Sequence, residues 1–497
     1  MCKKIFFLIN FINYSLALIY WDSFVDDYGA LHAENKNLDS LNGVENMNSL
    51  EFSEIYLSSN QLENIDKLKY FNGINLLDLT DNKIKNIDSL SYLADLSSLF
   101  LSSNLIENID GLASLYYLDT LILNNNKIKS LKPFQNLTLV TYLSLYQNMI
   151  ADLNGLENFF TLYYLYLDNN QIESIESLKN LSQLSVLSLS NNNISSIDCL
   201  DGLKNLEELY LVNNRIKSIY VLKHLSALYW IKLEKNQVDS VDEIKEANPE
   251  MLGLAFNKIN DSLNFNLQIY QDRILIDLKY NEISGIDADF YAGTKLQVIF
   301  LSNNKIKSLK SDTFGEMTDL YLINLDNNLI EDLNQGAFNG LTGLNYLSLK
   351  NNSITKIADD LFASMNQTNR VALNKNNISE LSPNSFKNVN HLQIDYELFT
   401  SNFKNYSKLY FNFVCLDLSQ QAIEKLYSST IKGLFSKLIL ENNLIKEFET
   451  NSFADLNNLV EISFSNNLIQ SLNFQSAFTT QLKLLKTLSF EIYKGIA

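Results

Sequence analysis

The segment NKIKNIDSLSYLADLSSLFLSSN, residues 82–104, decides the fold. Its leucines and isoleucines recur about every third position and then two positions apart, at Leu99 and Leu101, just before Asn104. A spacing of two sends alternate side chains of a strand to one face, whereas a spacing of three suits tight turns and short 3₁₀ segments. The segment therefore predicts one coil: a short strand, a corner at an asparagine and a loosely helical return.

The same coil recurs with a period of 22 residues. A coil of this length has an apolar side that it cannot cover alone, so successive coils are expected to stack into a solenoid. An asparagine amide carries a donor and an acceptor and can satisfy backbone groups of its own corner and of the adjacent coil, which predicts a structural role for these residues. The corner asparagines of this ladder are Asn60, Asn82, Asn104, Asn126, Asn148, Asn170, Asn192, Asn214 and Asn236.

After Asn236 the spacing of the corners changes to 24 residues in most coils. The corners there are Asn257, Asn281, Asn304, Asn328, Asn352 and Asn376. Each wider coil also carries a phenylalanine at a fixed place in its return segment, at Phe290, Phe314, Phe338, Phe362 and Phe386. A large ring at a constant position predicts a stacked spine that fills a wider core.

The pattern L-x-x-L-x-L-x-x-N-x-I resembles the leucine-rich repeat, and the resemblance covers nearly the whole chain after its first ~30 residues. The 22-residue coils resemble the class found in phosphatase regulators and bacterial internalins, and the 24-residue coils are similar to the class of Slit, Toll-like receptors and matrix proteoglycans. The resemblance implies an α/β solenoid: a curved array with a concave parallel β-sheet and short 3₁₀ or irregular convex segments.

The positions of the corners divide the chain into seven predicted parts. These are a signal peptide (1–17), an atypical N-terminal coil or cap (18–50), 22-residue repeats (51–240), transition repeats (241–280), 24-residue phenylalanine-type repeats (281–390), a degenerate repeat with Glu397 at its corner (391–420), and terminal repeats for which truncation is left open (421–497).

Composition narrows the function. The 497-residue chain has a formal net charge of −18 and a pI near 4.7, which argues against binding nucleic acid because phosphates would be repelled. His32, His224 and His391 lie many coils apart, and no phosphate-binding loop, nucleophile elbow or zinc helix is found. We therefore expect no enzyme activity, no cofactor and no metal site.

An acidic series six residues after successive corners has two interpretations. Acidic residues suit the start of a short helical turn, where they accept free N–H groups, and they could also form a calcium array. Lysine, asparagine and tyrosine interrupt the series at Lys132, Asn154 and Tyr220, which favours capping. The acidic members are Asp66, Asp88, Asp110, Glu176, Asp198 and Asp242.

The termini and cysteines point to different compartments. Lys3 and Lys4 followed by an apolar run predict a signal peptide and secretion, and no later apolar stretch is long enough to span a membrane in the mature chain. The sequons at Asn136 and Asn180 fall on the return side, where glycans would fit.

Cys199 and Cys415 lie too many coils apart for a disulfide, and the absence of cysteine-rich caps leaves a cytoplasmic location as the alternative. Cys415 is expected on an outward strand position, either as a reactive surface thiol or, as favoured, a quiet one.

The concave sheet is the candidate binding surface. Residues two, four and six before each corner should point outward. Asp168 and Glu208 hold two of these positions, and six aromatic residues hold others on five consecutive coils. The aromatic residues are Tyr142, Tyr146, Tyr164, Tyr166, Tyr210 and Trp230. Tyrosine and tryptophan bury large areas and dominate interface hot spots, although stacked aromatics can simply cover one another. The sequence predicts a secreted or cell-surface recognition protein for a protein ligand, with a glycan as the second candidate. The alternative is an intracellular scaffold resembling the phosphatase-regulator class.

Overall fold

The computed structural model describes most of the chain, in two compact units, residues 1–237 and 238–497. The described residues are 21, 23–26, 29–47, 52–241, 249–260, 262–263, 274–287, 295–315, 317–365, 368–381, 384–396, 414–427, 431, 433–469, 482 and 484–489. The predicted signal peptide, Asp242, Phe290 and Glu397 lie outside them.

The first unit is a parallel-sheet solenoid with one short strand per coil. Each strand pairs in parallel with the strand of the next coil, so that equivalent residues meet, as in the pairs Leu77 with Leu99 and Leu99 with Leu121. The strands are β1 Ala30–His32, β2 Glu54–Tyr56, β3 Leu76–Asp78, β4 Ser98–Phe100, β5 Thr120–Ile122, β6 Tyr142–Ser144, β7 Tyr164–Tyr166, β8 Val186–Ser188, β9 Glu208–Tyr210 and β10 Trp230–Lys232.

Short 3₁₀ helices form the return segments of most coils in this unit. They are Val44–Met47, Asp66–Tyr70, Asp88–Tyr92, Asp110–Leu112, Lys132–Asn136, Glu176–Leu178, Asp198–Gly202 and Tyr220–His224. The spacing of three between apolar residues predicts such turns, because side chains at i and i+3 eclipse in a 3₁₀ helix and point to the same side. The leucines of these segments are buried in the core.

The acidic residues at the helix starts do not cap free N–H groups as the sequence suggested. Asp88 is the first residue of its helix, and its own N–H donates to Oδ1 of Asn86 at 2.8 Å. Its carboxylate accepts from Nδ2 of Asn86 at 3.0 Å, and the Asn108–Asp110 pair repeats both bonds. In both coils the asparagine side chain therefore accepts the first N–H of the helix, and the aspartate carboxylate accepts a hydrogen bond from that asparagine.

The corner asparagines bind the backbone of two coils. Asn126 donates from Nδ2 to the carbonyl oxygens of Leu101 and Leu123, at 2.9 and 3.1 Å, and its Oδ1 accepts the N–H of Ile106 at 3.0 Å. Each of these carbonyls also accepts a second amide, from Asn104 or Asn148. The corners are thus linked through shared acceptors from coil to coil.

The residue before each corner asparagine adopts a left-handed backbone conformation. Its φ is +55° at Asn125, +56° at Asp81 and +56° at Asn169. Asparagine and aspartate tolerate this conformation better than other residues with a side chain, which explains the frequent Asn-Asn corners. The same geometry at Asn35 shows that Lys36 stands at the corner of the first coil, where its N–H donates to Asn60.

The second unit is also a parallel-sheet solenoid, but with a wider return. Its strands in chain order are β11 Met251–Gly253, β12 Ser262–Leu263, β13 Ile274–Asp277, β14 Gly285–Ile286, β15 Leu296–Phe300, β16 Ser308–Leu309, β17 Leu322–Asn324, β18 Asp332–Leu333, β19 Tyr346–Ser348, β20 Lys356–Ile357, β21 Thr368–Ala372, β22 Glu380–Leu381, β23 Val389–Gln393, β24 Cys415–Asp417, β25 Lys425–Leu426, β26 Lys437–Ile439, β27 Glu447–Phe448, β28 Glu461–Ser463 and β29 Thr487–Ser489. The two-residue strands pair as β12–β14, β16–β18, β20–β22 and β25–β27 on the return side, where short 3₁₀ or irregular segments were expected.

The phenylalanine spine fills the core of these wider coils, as the sequence predicts. The rings of Phe314, Phe338, Phe362 and Phe386 stack with centroids 5.8 to 6.2 Å apart, and all four are buried. Within the described part of the chain, no helix is long and apolar enough to cross a membrane. The solenoid with a parallel sheet confirms the predicted fold class in both units.

Candidate functional site: the sheet face of the first unit

Three tyrosines form a cluster on neighbouring strands of the sheet face. Tyr142 on β6 pairs in register with Tyr164 on β7, and Ser144 pairs with Tyr166. The ring centroid of Tyr142 lies 5.7 Å from that of Tyr164 and 5.5 Å from that of Tyr166, with tilted planes. Such distances are typical of favourable aromatic pairs, so each ring holds its neighbours in place.

The cluster is open to solvent at Tyr164, and a fourth tyrosine beyond the end of β6 is exposed as well. Tyr164 is 42% exposed, and Tyr146, which follows β6, is 38% exposed, whereas Tyr142 and Tyr166 are half-buried. Burial, with a contribution from neighbouring Tyr142, raises the pKa of Tyr166 above its ordinary value. The hydroxyl of Tyr166 therefore stays neutral at physiological pH and can donate or accept a hydrogen bond.

Tyr210 is less available to a partner. Its hydroxyl donates to Glu208 at 2.6 Å, and Tyr229 donates to the other oxygen of the same carboxylate at 2.8 Å. Burial and the bond to Glu208 raise the pKa of Tyr210. Both oxygens of Glu208 are thus engaged inside the sheet face.

Trp230 is held mostly by its own strand. The Nζ of Lys232 lies 5.8 Å from its ring centroid and 3.3 Å from a carboxylate oxygen of Glu234. The indole Nε1 is buried and has no hydrogen-bond partner among the described residues. Because that N–H is covered, Trp230 offers ring surface and not a hydrogen bond to a partner.

Asp168 has a structural role on this face. Its Oδ1 accepts the hydroxyl of Ser188 at 2.6 Å and the N–H of Ser190 at 2.8 Å, both from the next coil. Asn124 makes the same two bonds to Ser144 and Tyr146. A polar residue two positions before the corner therefore ties adjacent coils together, a function that the outward direction of its position did not reveal.

Phe100 and Ile122 extend the apolar surface beyond the residues found from sequence. They occupy the position four before the corner on β4 and β5, pair with each other in register, and are half-buried. Ile122 in turn pairs with Ser144, beside the tyrosine cluster. The same offset rule finds both residues, but a search restricted to tyrosine and tryptophan does not.

The sheet face of the second unit carries a group of charged residues. Arg370 donates to Asp417 at 3.1 Å, and His391 Nε2 lies 3.4 Å from the same carboxylate oxygen. Burial alone would raise the pKa of Asp417, but the hydrogen bonds from His391 and Ser419 hold it below its usual value. The arrangement is an internal ion-pair network, and Arg370 also lies 5.7 Å from the ring centroid of Tyr346.

Cys415 lies on an outward strand position, as the sequence predicts, but it is covered, which agrees with the favoured prediction of a quiet thiol. It is 5% exposed, and burial together with nearby Asp417 raises its pKa to about 12. A thiol with such a pKa is not a nucleophile at physiological pH, although His391 pairs with it in register. In the described segments, no group of three or more His, Cys, Asp or Glu residues could hold a metal ion.

Comparison with known proteins supports the repeat class. The family described as Leucine rich repeat matches residues 160–216, 274–330, 294–354, 318–370 and 343–394. No curated protein sequence matches the chain significantly.

Three solved structures illustrate the likeness of fold. A leucine-rich-repeat protein of Leptospira interrogans is 24% identical over 71% of this chain and 91% of that chain, with a TM-score of 0.59. The Arabidopsis receptor kinase HAESA, in complex with the peptide hormone IDA and the co-receptor SERK1, is 20% identical over 90% and 71%, with a TM-score of 0.55. Toll of Drosophila, in its complex with Spätzle, is 18% identical over 84% and 57%, with a TM-score of 0.58.

The repeated strand, the asparagine corner and the family match together define the class: this chain is a leucine-rich-repeat protein.

Proposed function

We propose that the chain is a non-catalytic protein-recognition module that binds a partner polypeptide on the sheet face of the first unit. The observation that carries this proposal is the open tyrosine cluster, in which Tyr164 is exposed beside Tyr142 and Tyr166, together with the exposed Tyr146 that follows β6. Rings fixed by their neighbours lose little conformational entropy when a partner covers them. Phe100 and Ile122 continue the apolar surface, and Tyr210 and Trp230 lie at its other end.

The solved relatives are consistent with a polypeptide partner. The HAESA structure contains a peptide hormone and the Toll structure contains Spätzle. A glycan remains the second ligand class, because exposed aromatic rings suit sugars as well as proteins.

The binding test uses two exposed tyrosines and one matched control. Partners are captured from extracellular and intracellular fractions on the immobilised chain, identified, purified and titrated by calorimetry. The double variant Tyr146→Ala/Tyr164→Ala should weaken binding at least tenfold, about 1.4 kcal/mol. Tyr70→Ala should have no effect, because Tyr70 is 44% exposed but lies on a return helix. Equal affinities for all three proteins would reject the proposed face.

We further propose that the module is secreted or displayed at the cell surface. The predicted signal peptide supports this location, as do the sequons at Asn136 and Asn180, whose side chains are both exposed. Expression in eukaryotic cells followed by glycosidase treatment tests it, with Asn136→Gln/Asn180→Gln as the control. A fall in mass on deglycosylation requires passage through the secretory route, and a smaller fall in the control would assign glycans to these two sites.

The alternative function is an intracellular scaffold that docks an enzyme such as a phosphatase. The free thiols of Cys199 and Cys415 favour it, since secreted proteins commonly pair their cysteines. A capture from the intracellular fraction that depends on Tyr146 and Tyr164, without any glycosidase shift, would select this alternative.

A further inference from the structure

A second apolar surface lies on the first unit, where the return segments lead into the strands. A two-residue turn precedes each strand from β4 to β10, and in three successive coils these lead-in turns are 116–117, 138–139 and 160–161. Four exposed apolar side chains lie in these turns. Tyr92 and Tyr163, each two residues away from a lead-in turn, add two more. The resulting apolar edge consists of Tyr92, Tyr116, Tyr117, Leu139, Phe160 and Tyr163, which are 44 to 67% exposed.

The core does not require these side chains. Leu115, Leu118, Val140, Phe159 and Leu162 occupy the inward positions of the same segments and are fully buried. In the neighbouring coils on either side, the equivalent positions carry no apolar side chain: Asn72-Gly73 before the edge and Ser182-Gln183 after it. The apolar edge is therefore a bounded feature of a few adjacent coils and not a property of the repeat.

The edge is also firmly built. Thr161 donates from Oγ1 to the carbonyl of Thr138 at 2.9 Å, and Asn158 donates to that of Gln135 at 3.3 Å. Ser114 makes a similar bond to Ser91 at 3.2 Å. Because side chains bind one coil to the next here, the aromatic residues stand on a fixed surface, with equivalent residues about 4.8 Å apart per coil.

We propose that the apolar edge is the interface between two copies of this chain. A two-fold interface uses the same patch on both partners, so the patch must be self-complementary. In a chain with net charge −18, contact through most of the surface brings like charges together. Of the residues in the lead-in turns from 94 to 161, only Asp95 is charged, so this edge avoids that repulsion.

The size of the edge sets the strength of the contact. Full burial of an aromatic side chain removes roughly 150–250 Å² from water, so six half-exposed side chains present roughly 600 Å². Two copies would bury roughly 1,200 Å², which is at the lower end of the range for specific interfaces. We expect the pairing to be weak and reversible, with a dissociation constant on the order of micromolar.

Sedimentation velocity of protein made in bacteria tests the proposal from about 1 to about 100 µM, concentrations that bracket such an affinity. Bacterial protein is used because a glycan on Asn136, two residues before Thr138, would cover the edge. The mass should rise with concentration from 56.9 kDa towards twice that value. The variant Tyr116→Ser/Tyr117→Ser/Phe160→Ser should raise the dissociation constant at least tenfold. An unchanged circular dichroism spectrum and urea midpoint would show that it is folded.

The sheet-face variant Tyr146→Ala/Tyr164→Ala is the matched control and should associate like the wild type. A monomer at every concentration would overturn the proposal, as would association that the triple serine variant leaves intact. Loss of association in the sheet-face variant would overturn it too, by assigning the contact to the other surface. The proposal stands apart from partner binding, because the serine variant should still bind any partner of the sheet face.

Discussion

Replacing Asn126 by aspartate should destabilise the first unit far more than the same change one residue earlier. Aspartate is nearly isosteric with asparagine and keeps an acceptor for the N–H of Ile106, but it has no donor for the carbonyls of Leu101 and Leu123. The site is 8% exposed. The change therefore tests the donor half of the corner bonds with almost no change in volume.

The expected cost follows from those bonds. The two Nδ2 hydrogens of Asn126 serve three carbonyls, those of Leu101 and Leu123 and, at 3.2 Å, that of Asn124. Counted as two hydrogen bonds of about 1 kcal/mol each, their loss costs about 2 kcal/mol, while the carbonyls of Leu101 and Leu123 each keep one amide from Asn104 or Asn148. A carboxylate with little solvent and two carbonyl oxygens nearby adds about 1 to 3 kcal/mol. The free energy of unfolding should fall by about 3 to 5 kcal/mol.

Asn125→Asp is the control. Asn125 is exposed with a φ of +55°, and Asp81 holds the equivalent position with a φ of +56°, so the replacement should change stability by less than about 0.5 kcal/mol. Urea unfolding at pH 7, followed by far-ultraviolet circular dichroism, measures both variants. Similar stabilities for the two would refute the role given to the amide donor.

Three further predictions concern the core, the coil contacts and the thiols. Gly111→Ala should lower the free energy of unfolding by more than about 2 kcal/mol, because a Cβ there would lie 2.2 Å from a backbone oxygen of the preceding coil. Gly202→Ala is the control in the same urea assay and should be nearly neutral, because its Cβ would meet only an ordinary contact at 3.4 Å. Phe338→Ala removes a buried member of the ring spine and should cost about 3 to 5 kcal/mol in thermal or urea unfolding; a loss below about 1 kcal/mol would show that the ring is not in the core. Burial raises the pKa of both Cys199 and Cys415 to about 12, so at pH 8 a thiol reagent, followed by mass spectrometry, should label each more than about 100-fold more slowly in the native protein than in urea. The native rate should increase with pH up to that value, and rapid labelling at pH 8 would contradict the burial.

The positions of the strands could be read from the sequence because a strict period fixes them. Leu99, Leu101 and their equivalents in other coils point inward because they hold the same places in the period. In the same way, the constant place of Phe338 and its equivalents predicts that their rings stack. Errors in one coil are corrected by the others, so the class of fold did not depend on any single residue.

The bonding of individual polar side chains could not be predicted in the same way. The period shows that Asp168 points outward, but not that Ser188 and Ser190 of the next coil bind it. The period also places Cys415 on the sheet face, but it does not show that neighbouring side chains bury the thiol there. Such details depend on rotamers and on which residues happen to stand beside each other in adjacent coils.

The apolar edge was missed for a related reason. Tyr116 and Phe160 stand in turns, where neither the strand period nor the asparagine ladder assigns a direction to a side chain. The solvent exposure of each side chain in the folded protein is what distinguishes these exposed rings from the buried Leu115 and Phe159 beside them.

The sharing of carbonyls between successive corner asparagines bears on how the length of such a protein can change. Asn126 contacts the coil before it, Asn148 contacts the coil of Asn126, and the two sets of bonds are alike. Excision of one complete 22-residue coil would bring together two ends that already fit, whereas loss of a single residue would misalign the corner and every leucine of its coil. The gene can therefore gain or lose whole coils while the protein keeps its fold, and the number of coils is open to selection separately from the residues displayed on them.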